Sequence, residues 1–280
     1  MSYNTPAEFA EKMIDAGESK ITMSTKDTLI RAYMAGAILA LAAAFAVTIA
    51  VNTGNFLVAS LLFPVGFCML YLLGFDLLTG VFTLAPLAVI ARRPGMSWGG
   101  VLRNWGLVFI GNFAGAMTVA VFMAIIFTMG FSTAPNAVGQ KIGHIGELRT
   151  LGYAAAGASG LLTVFVRAVM CNWMVSTGVV AAMMSNSVSG KIMAMWMPIL
   201  VFFYMGFEHS IVNMFLFPSG IMLGGNFTWA DYFIYNEIPV VLGNLVGGLT
   251  FVGGMIYATH YKTSPKRRPA GIPPEQVAAE

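Results

Sequence analysis

The chain alternates long apolar runs with short polar interruptions, and the length of the runs says what it dissolves in. About 20 apolar residues in a row carry a helix across the hydrocarbon core of a bilayer. On that ruler the sequence predicts spans near 29–51, 59–90, 101–129, 155–184, 190–222 and 237–259. The second and fifth are too long for one straight crossing. Each holds an acidic residue and a polar cluster near its middle, Gly74-Phe75-Asp76-Leu77-Leu78-Thr79 and Gly206-Phe207-Glu208-His209-Ser210, with Pro86 and Pro218 further on. Interruptions of this kind predict two broken helices, tolerated only where the freed backbone lines a cavity or packs in protein.

Before the first span, residues 6–20 place Phe9, Met13 and Ile14 on one face, the pattern of an amphipathic helix lying at a membrane surface. The tail Ser264–Glu280 carries four prolines and is expected to be disordered. The expected organisation is an amphipathic segment over 1–27, a six-helix transmembrane domain over 28–260 and a tail over 261–280.

Composition agrees with the pattern. Hydrophobic residues make up 58% of the 280 and charged residues 10%, against about a quarter in soluble domains. Of the 27 charged side chains only twelve fall within residues 32–259, too few to cover a soluble surface. The chain is therefore read as an all-α, multi-pass integral membrane protein in contact with lipid. Twelve basic residues fall on the side of the amino terminus and two, Lys141 and Arg149, on the other, which predicts both termini in the cytoplasm. Residues 1–20 lack the apolar core of a cleavable signal peptide. The net charge of +3 sits in ends and loops and gives no reason to expect a nucleic-acid partner. Cys68 and Cys171 lie in apolar runs, where thiols pack as small hydrophobes; no disulfide, metal or cofactor is expected.

Sliding the chain by 132 residues aligns its halves. Gly74, Phe75 and Asp76 meet Gly206, Phe207 and Glu208; Pro86 meets Pro218; Asn104 meets Asn236; Gly111, Asn112 and Gly115 meet Gly243, Asn244 and Gly247. Three spans per half is an odd number, so the second half inserts upside down. Inverted repeats with two discontinuous helices mark channels and transporters, whose site lies at the repeat interface near the midplane.

Four ionisable residues fall inside spans: Asp76, Arg167, Glu208 and His209. Each costs at least a few kcal/mol at the bilayer centre and calls for a partner or water. Asp76 reads as structural, holding loop N–H groups, and Arg167 as an ion-pair or snorkelling residue. A lone histidine is usually a satisfied core residue. His209, however, sits at a helix break beside Glu208, with Asn213 a turn on and Thr79 in the other half, and its charge changes near neutral pH. It is therefore assigned to the pore.

Taken together, Gly206-Phe207-Glu208-His209-Ser210-Ile211-Val212-Asn213-Met214 with Phe217-Pro218, Gly74 to Thr79, Cys171-Asn172-Trp173 and the two Gly-Asn pairs resemble the formate/nitrite transporter family over residues 10–260. The resemblance implies a homopentamer of aquaporin-like protomers in a bacterial inner membrane. It implies that His209 is the central protonatable residue, with Thr79 and Asn213 beside it. It places Phe63 and Phe202 at the periplasmic constriction, Leu77 at the cytoplasmic one, and Asn172, Glu208 and Asn244 around the histidine. Lys20 matches a lysine at the cytoplasmic mouth, and the amino-terminal segment is implicated in gating in some members. In one respect the chain departs from the family. Formate and nitrite channels commonly carry a lysine on entering the fourth helix, whereas Leu151–Gly160 has no basic residue. Lys141, His144 or Arg149 are the substitutes on that side.

The expected function is passage of small monovalent anions of weak acids, nitrite slightly ahead of formate, with His209 relaying protons. Hydrosulfide and lactate are lesser candidates. An aquaporin-type channel for neutral solutes is the alternative, but it requires paired Asn-Pro-Ala signatures, which are absent. A haem-bearing subunit would need paired axial histidines, and only His209 lies at membrane depth. No catalytic domain is seen, so the chain is not read as an enzyme.

Overall fold

The computed structural model describes residues 3–263, and the expectation of a disordered tail over Ser264–Glu280 lies outside them. The described residues form a helical bundle without strands. Its elements are α1 (Pro6–Thr22), α2 (Thr25–Thr53), α3 (Phe56–Leu62), α4 (Pro64–Leu72), α5 (Leu78–Ile90), α6 (Trp98–Phe127), α7 (Ala137–Ala155), α8 (Gly157–Met183), α9 (Val188–Tyr204), α10 (Ser210–Met222) and α11 (Trp229–Tyr261). Helices α2, α6, α8 and α11 are long and apolar enough to cross a membrane, and the shorter apolar helices pair around two breaks. Side-chain caps set several starts. Ser24, Asn55, Ser97, Asn136 and Ser187 each accept a backbone N–H from the first turn that follows.

Both expected breaks are present and built alike. Gly74 and Gly206 take left-handed backbone at φ +74° and +64°, which side-chain-bearing residues adopt only with strain. The turn before each is closed by the same bonds: Phe75 N–H to Leu70 O at 2.9 Å, and Phe207 N–H to Phe202 O at 3.1 Å. The chain then runs extended for a few residues before α5 and α10 begin.

The long helices pack through small residues, as membrane helices do when backbones approach closely. A Cβ on Gly115 would lie 1.9 Å from the Tyr33 carbonyl oxygen, and one on Gly247 2.2 Å from that of Val169. The α2–α6 contact thus recurs as α8–α11. Helix α11 contains π-helical turns at Phe233–Glu237, Leu249–Gly254 and Tyr257–Tyr261; the first precedes Pro239, which has no N–H to give.

Two features depart from expectation. The apolar face of α1, expected on the membrane surface, is packed into the protein: Phe9, Met13 and Ile14 are each at most 4% exposed. Arg93, in the loop after α5, holds the polar face of α1 down through Glu11 and Asp15. The second departure is α7, a full helix where the span pattern leaves a loop. Its Lys141, His144, Glu147 and Arg149 keep it below any hydropathy threshold for a span. Cys68 and Cys171 are buried free thiols.

Candidate functional site

Each break delivers an extended stretch of backbone into the bundle, and one asparagine holds each stretch. Asn112 on α6 accepts the Leu78 N–H at 2.9 Å and donates to the carbonyls of Asp76 (2.9 Å) and Ala32 (2.8 Å). Asn244 on α11 does the same for the second break: it accepts from Ser210 N–H (3.0 Å) and donates to Glu208 O (2.9 Å) and Ala168 O (2.8 Å). Unpaired backbone groups at membrane depth cost several kcal/mol each, so two amides at one repeat offset account for how broken helices persist there.

The two acids are paired to cations in the same symmetric way. Asp76 Oδ1 lies 2.6 Å from Lys20 Nζ at the end of α1, and Glu208 Oε2 lies 3.5 Å from Arg149 Nη1 near the end of α7. Asn104 and Asn236, matched by the repeat, each donate at 3.0 Å to the backbone carbonyl of the cation, Lys20 and Arg149 respectively. Helix α7 therefore stands to the second half as α1 stands to the first. The expectation that Asp76 holds loop N–H groups is corrected: its recorded partner is Lys20, its Oδ2 has none, and Asn112 holds the loop.

Glu208 is fully buried and richly bonded. Tyr153 Oη donates to it at 2.8 Å, Asn213 Nδ2 at 2.9 Å and Asn236 Nδ2 at 3.3 Å. Arg167 Nη1 donates to the same Tyr153 hydroxyl at 2.9 Å, so its structural reading holds through a tyrosine rather than a direct ion pair. Asn213 lies one turn beyond His209. Its side-chain amide faces Glu208 and Asn236 (2.7 Å), and its recorded contact with His209 is a backbone one, to His209 O at 3.0 Å.

His209 itself caps α10. Its Nδ1 accepts the N–H groups of Ile211 (3.2 Å) and Val212 (3.3 Å), a task usually given to Ser, Thr, Asp or Asn. Those bonds assign the proton of the neutral ring to Nε2. Nε2 faces the Thr79 hydroxyl at 3.3 Å, across the repeat interface. The Thr79 carbonyl accepts from Asn172 Nδ2 at 3.1 Å, and the same amide reaches Asn244 O at 2.6 Å, tying α5, α8 and α11 together behind the ring.

Two cavities approach this centre. The first, about 630 Å³ including its open mouth, is lined by Lys141 and Arg149 of α7, by Phe202, Phe203 and Phe207, and by His209. The second, about 770 Å³, is lined by Lys20 of α1, Tyr71, Phe75, Asp76 and Leu77. They share no lining residue, yet seven positions of one match seven of the other at the offset of 132: Val47/Val179, Leu70/Phe202, Tyr71/Phe203, Phe75/Phe207, Leu77/His209, Gly80/Val212 and Leu84/Leu216. His209 thus stands where the other half has Leu77, and there the repeat is chemically unequal. Phe63, at the α3–α4 junction, is buried, stacked on Phe203 (3.9 Å between ring centres) and edge-on to Phe202 (5.7 Å). The Phe202 ring lies 5.5 Å from the imidazole.

Of the ten site residues expected, His209, Thr79, Phe63 and Phe202 come together at the centre. Leu77 and Lys20 line the second cavity, and Asn172, Asn213, Asn244 and Glu208 form the supporting shell. Leu151–Gly160 has no basic residue, and the basic residues lining the first cavity are Lys141 and Arg149 of α7. His144 does not line that cavity and faces Glu147 at 3.8 Å. Sequence reasoning missed the partners of Glu208: Tyr153, Asn236 and the pairing with Arg149. The Asn104/Asn236 match was the available signal.

Two repeat-related cavities, converging on a polar centre between broken helices in an apolar bundle, define a membrane transport protein. Comparison with known proteins agrees. The chain belongs to the formate/nitrite transporter family, whose model matches residues 7–258. It is 35% identical over 280 residues to a probable formate transporter of Methanothermobacter thermautotrophicus, covering 93% of this chain and 98% of that one. It is 29% identical to the formate channel BtFdhC of Bacillus thuringiensis, covering 94% and 98%. Among solved structures, a pentameric formate channel with formate bound superposes with a TM-score of 0.69 at 25% identity, covering 84% of this chain and 96% of the other. The protein is thus a multi-pass membrane transporter or channel and not an enzyme.

Proposed function

We propose that the chain forms a channel for small monovalent anions of weak acids, formate ahead of nitrite, built as a homopentamer with one pore per protomer. Formate comes first because the relatives described above are named for it, and the pentamer rests on the superposed structure. Each half crosses the membrane three times, for six crossings, and the halves are inverted, so the two cavities open on opposite faces. The charge asymmetry puts both termini and the α1 mouth in the cytoplasm and the α7 mouth outside.

An anion entering the α7 mouth meets Lys141 and Arg149, then the Phe202 ring and its Phe63 support. Stripping a charge of its water costs many kcal/mol, so an apolar neck excludes hydrated ions unless a donor replaces the lost shell. The single observation that carries the reading is the aim of His209: Nδ1 is held by two backbone N–H groups, leaving Nε2–H and the Thr79 hydroxyl to meet the permeant. The same bonds set the terms of a proton relay. Nε2 can pass its proton to a formate oxygen, giving formic acid, only if Nδ1 has gained one, and a protonated Nδ1 releases both cap bonds. Relay and a loosened first turn of α10 go together.

Proteoliposome uptake of formate across pH, with His209→Asn and His209→Ala beside the wild type, tests this. Asparagine keeps a capping acceptor but carries no titratable proton. Retained uptake with a flattened pH profile in His209→Asn supports the relay; an unchanged rate and pH profile in both variants sinks it.

A further inference from the structure

Formate offers only one C–H to apolar contact, yet the cavity at the α7 mouth is lined mostly by apolar side chains, four of them phenylalanines. Phe202, Phe203 and Phe207 line one wall and Phe56 the rim, while α2 presents only Ala43, Ala46, Val47 and Ala50 to the same space. Phe56 is 46% exposed and stacks on Phe203 at 5.7 Å between ring centres. The cations of this mouth are not equivalent. Arg149 is shared with buried Glu208, whereas Lys141 is exposed and has no acidic partner among the described residues.

We propose that this vestibule binds monocarboxylates carrying a flat apolar substituent, benzoate being the simplest, and that they block the pore from the α7 side. The carboxylate pairs with Lys141, the cation of this mouth that Glu208 does not already engage, and the ring packs between the phenylalanines and the alanines of α2. Ring-on-ring contact rewards such a ligand and gives nothing to formate. Phe63 and Phe202 with His209 close the inner end, so the ligand stays in the vestibule. The α1 mouth lacks a counterpart: its cation, Lys20, is already neutralised by Asp76 at 2.6 Å. The blocking part rests on the channel function proposed above; the binding part does not.

The experiment has two arms. Calorimetric titration of benzoate into the purified full-length protein should give saturable binding that formate weakens. Lys141→Gln, a change on an exposed position, should weaken it about tenfold, the loss of one charge-assisted contact; Phe203→Ala should weaken it too. No saturable binding, or binding indifferent to Lys141→Gln, overturns the proposal. In oriented proteoliposomes, benzoate should inhibit formate uptake from the α7 face alone, and equal inhibition from both faces overturns the side-specific block. Lysine-dependent binding in a protein that passes no formate would refute the channel and leave the site standing.

Discussion

The Nε2 of His209 lies 3.3 Å from the Thr79 hydroxyl, although the two residues come from opposite halves of the chain and 130 positions apart. Helix α5 brings the threonine and the cap of α10 brings the ring. Replacing Thr79 by valine keeps shape and removes the hydroxyl; removing such a bond costs about 1 kcal/mol. Formate uptake by Thr79→Val should fall about fivefold, while Thr79→Ser stays near wild type. Stopped-flow uptake in proteoliposomes measures both.

The paired amides Asn112 and Asn244 each satisfy three buried backbone groups. Alanine at either position strands the N–H and the carbonyl of the broken segment, at about 1–3 kcal/mol for each group left unpaired, while the Ala32 and Ala168 carbonyls lie within α2 and α8 and keep their helical bonds. Asn244→Ala and Asn112→Ala should lower the unfolding midpoint in detergent by similar amounts, because the Asn244 backbone carbonyl to which Asn172 donates survives the substitution. A clearly larger shift for one variant would mean that the two breaks are not held alike.

Glu208 is fully buried with Arg149 as its cation. Losing one partner of a buried pair costs about 3–5 kcal/mol, because the other charge stays uncompensated. Arg149→Gln should therefore destabilise strongly, and Glu208→Gln on top of it should recover part of the loss, since a neutral amide still bonds Tyr153. Thermal unfolding of the two single variants and the double variant gives the coupling energy directly.

Lys20 and Asp76 form the corresponding pair beside α1. The Oδ2 of Asp76 has no recorded partner, so Lys20→Met leaves an almost unsupported buried carboxylate. In that variant α1 should become more open to protease than in the wild type, and adding Asp76→Asn should restore protection. Unaltered cleavage in Lys20→Met would show that Arg93 and the Phe9–Ile14 face suffice to hold α1.

The broken helices and their partners were legible in the sequence because the bilayer is an intolerant solvent. Any polar residue placed at membrane depth stands out, and the same residues recur at one offset. Asp76 against Glu208 and Asn112 against Asn244 could be matched without coordinates; the structure gives each acid a cation and repeats the bonds of Asn112 in those of Asn244. Helix α7 was not legible. It is too polar for the hydropathy ruler, and its likeness to α1 lies in what it touches, Glu208 and Asn236, rather than in its letters. Asp76 was read as the holder of the loop N–H groups, a task that Asn112 performs, because neighbours along the chain say little about which way a side chain turns.

Composition and periodicity by themselves determined the solvent, the two halves and the place of the breaks, since those follow from transfer free energies that act on each stretch of chain locally. Which cation meets which acid, and that His209 caps its own helix through Nδ1 with Nε2 facing Thr79, were decided only when the helices packed. Those contacts join residues far apart in the chain, and their geometry depends on how closely glycines such as Gly115 and Gly247 let the backbones approach.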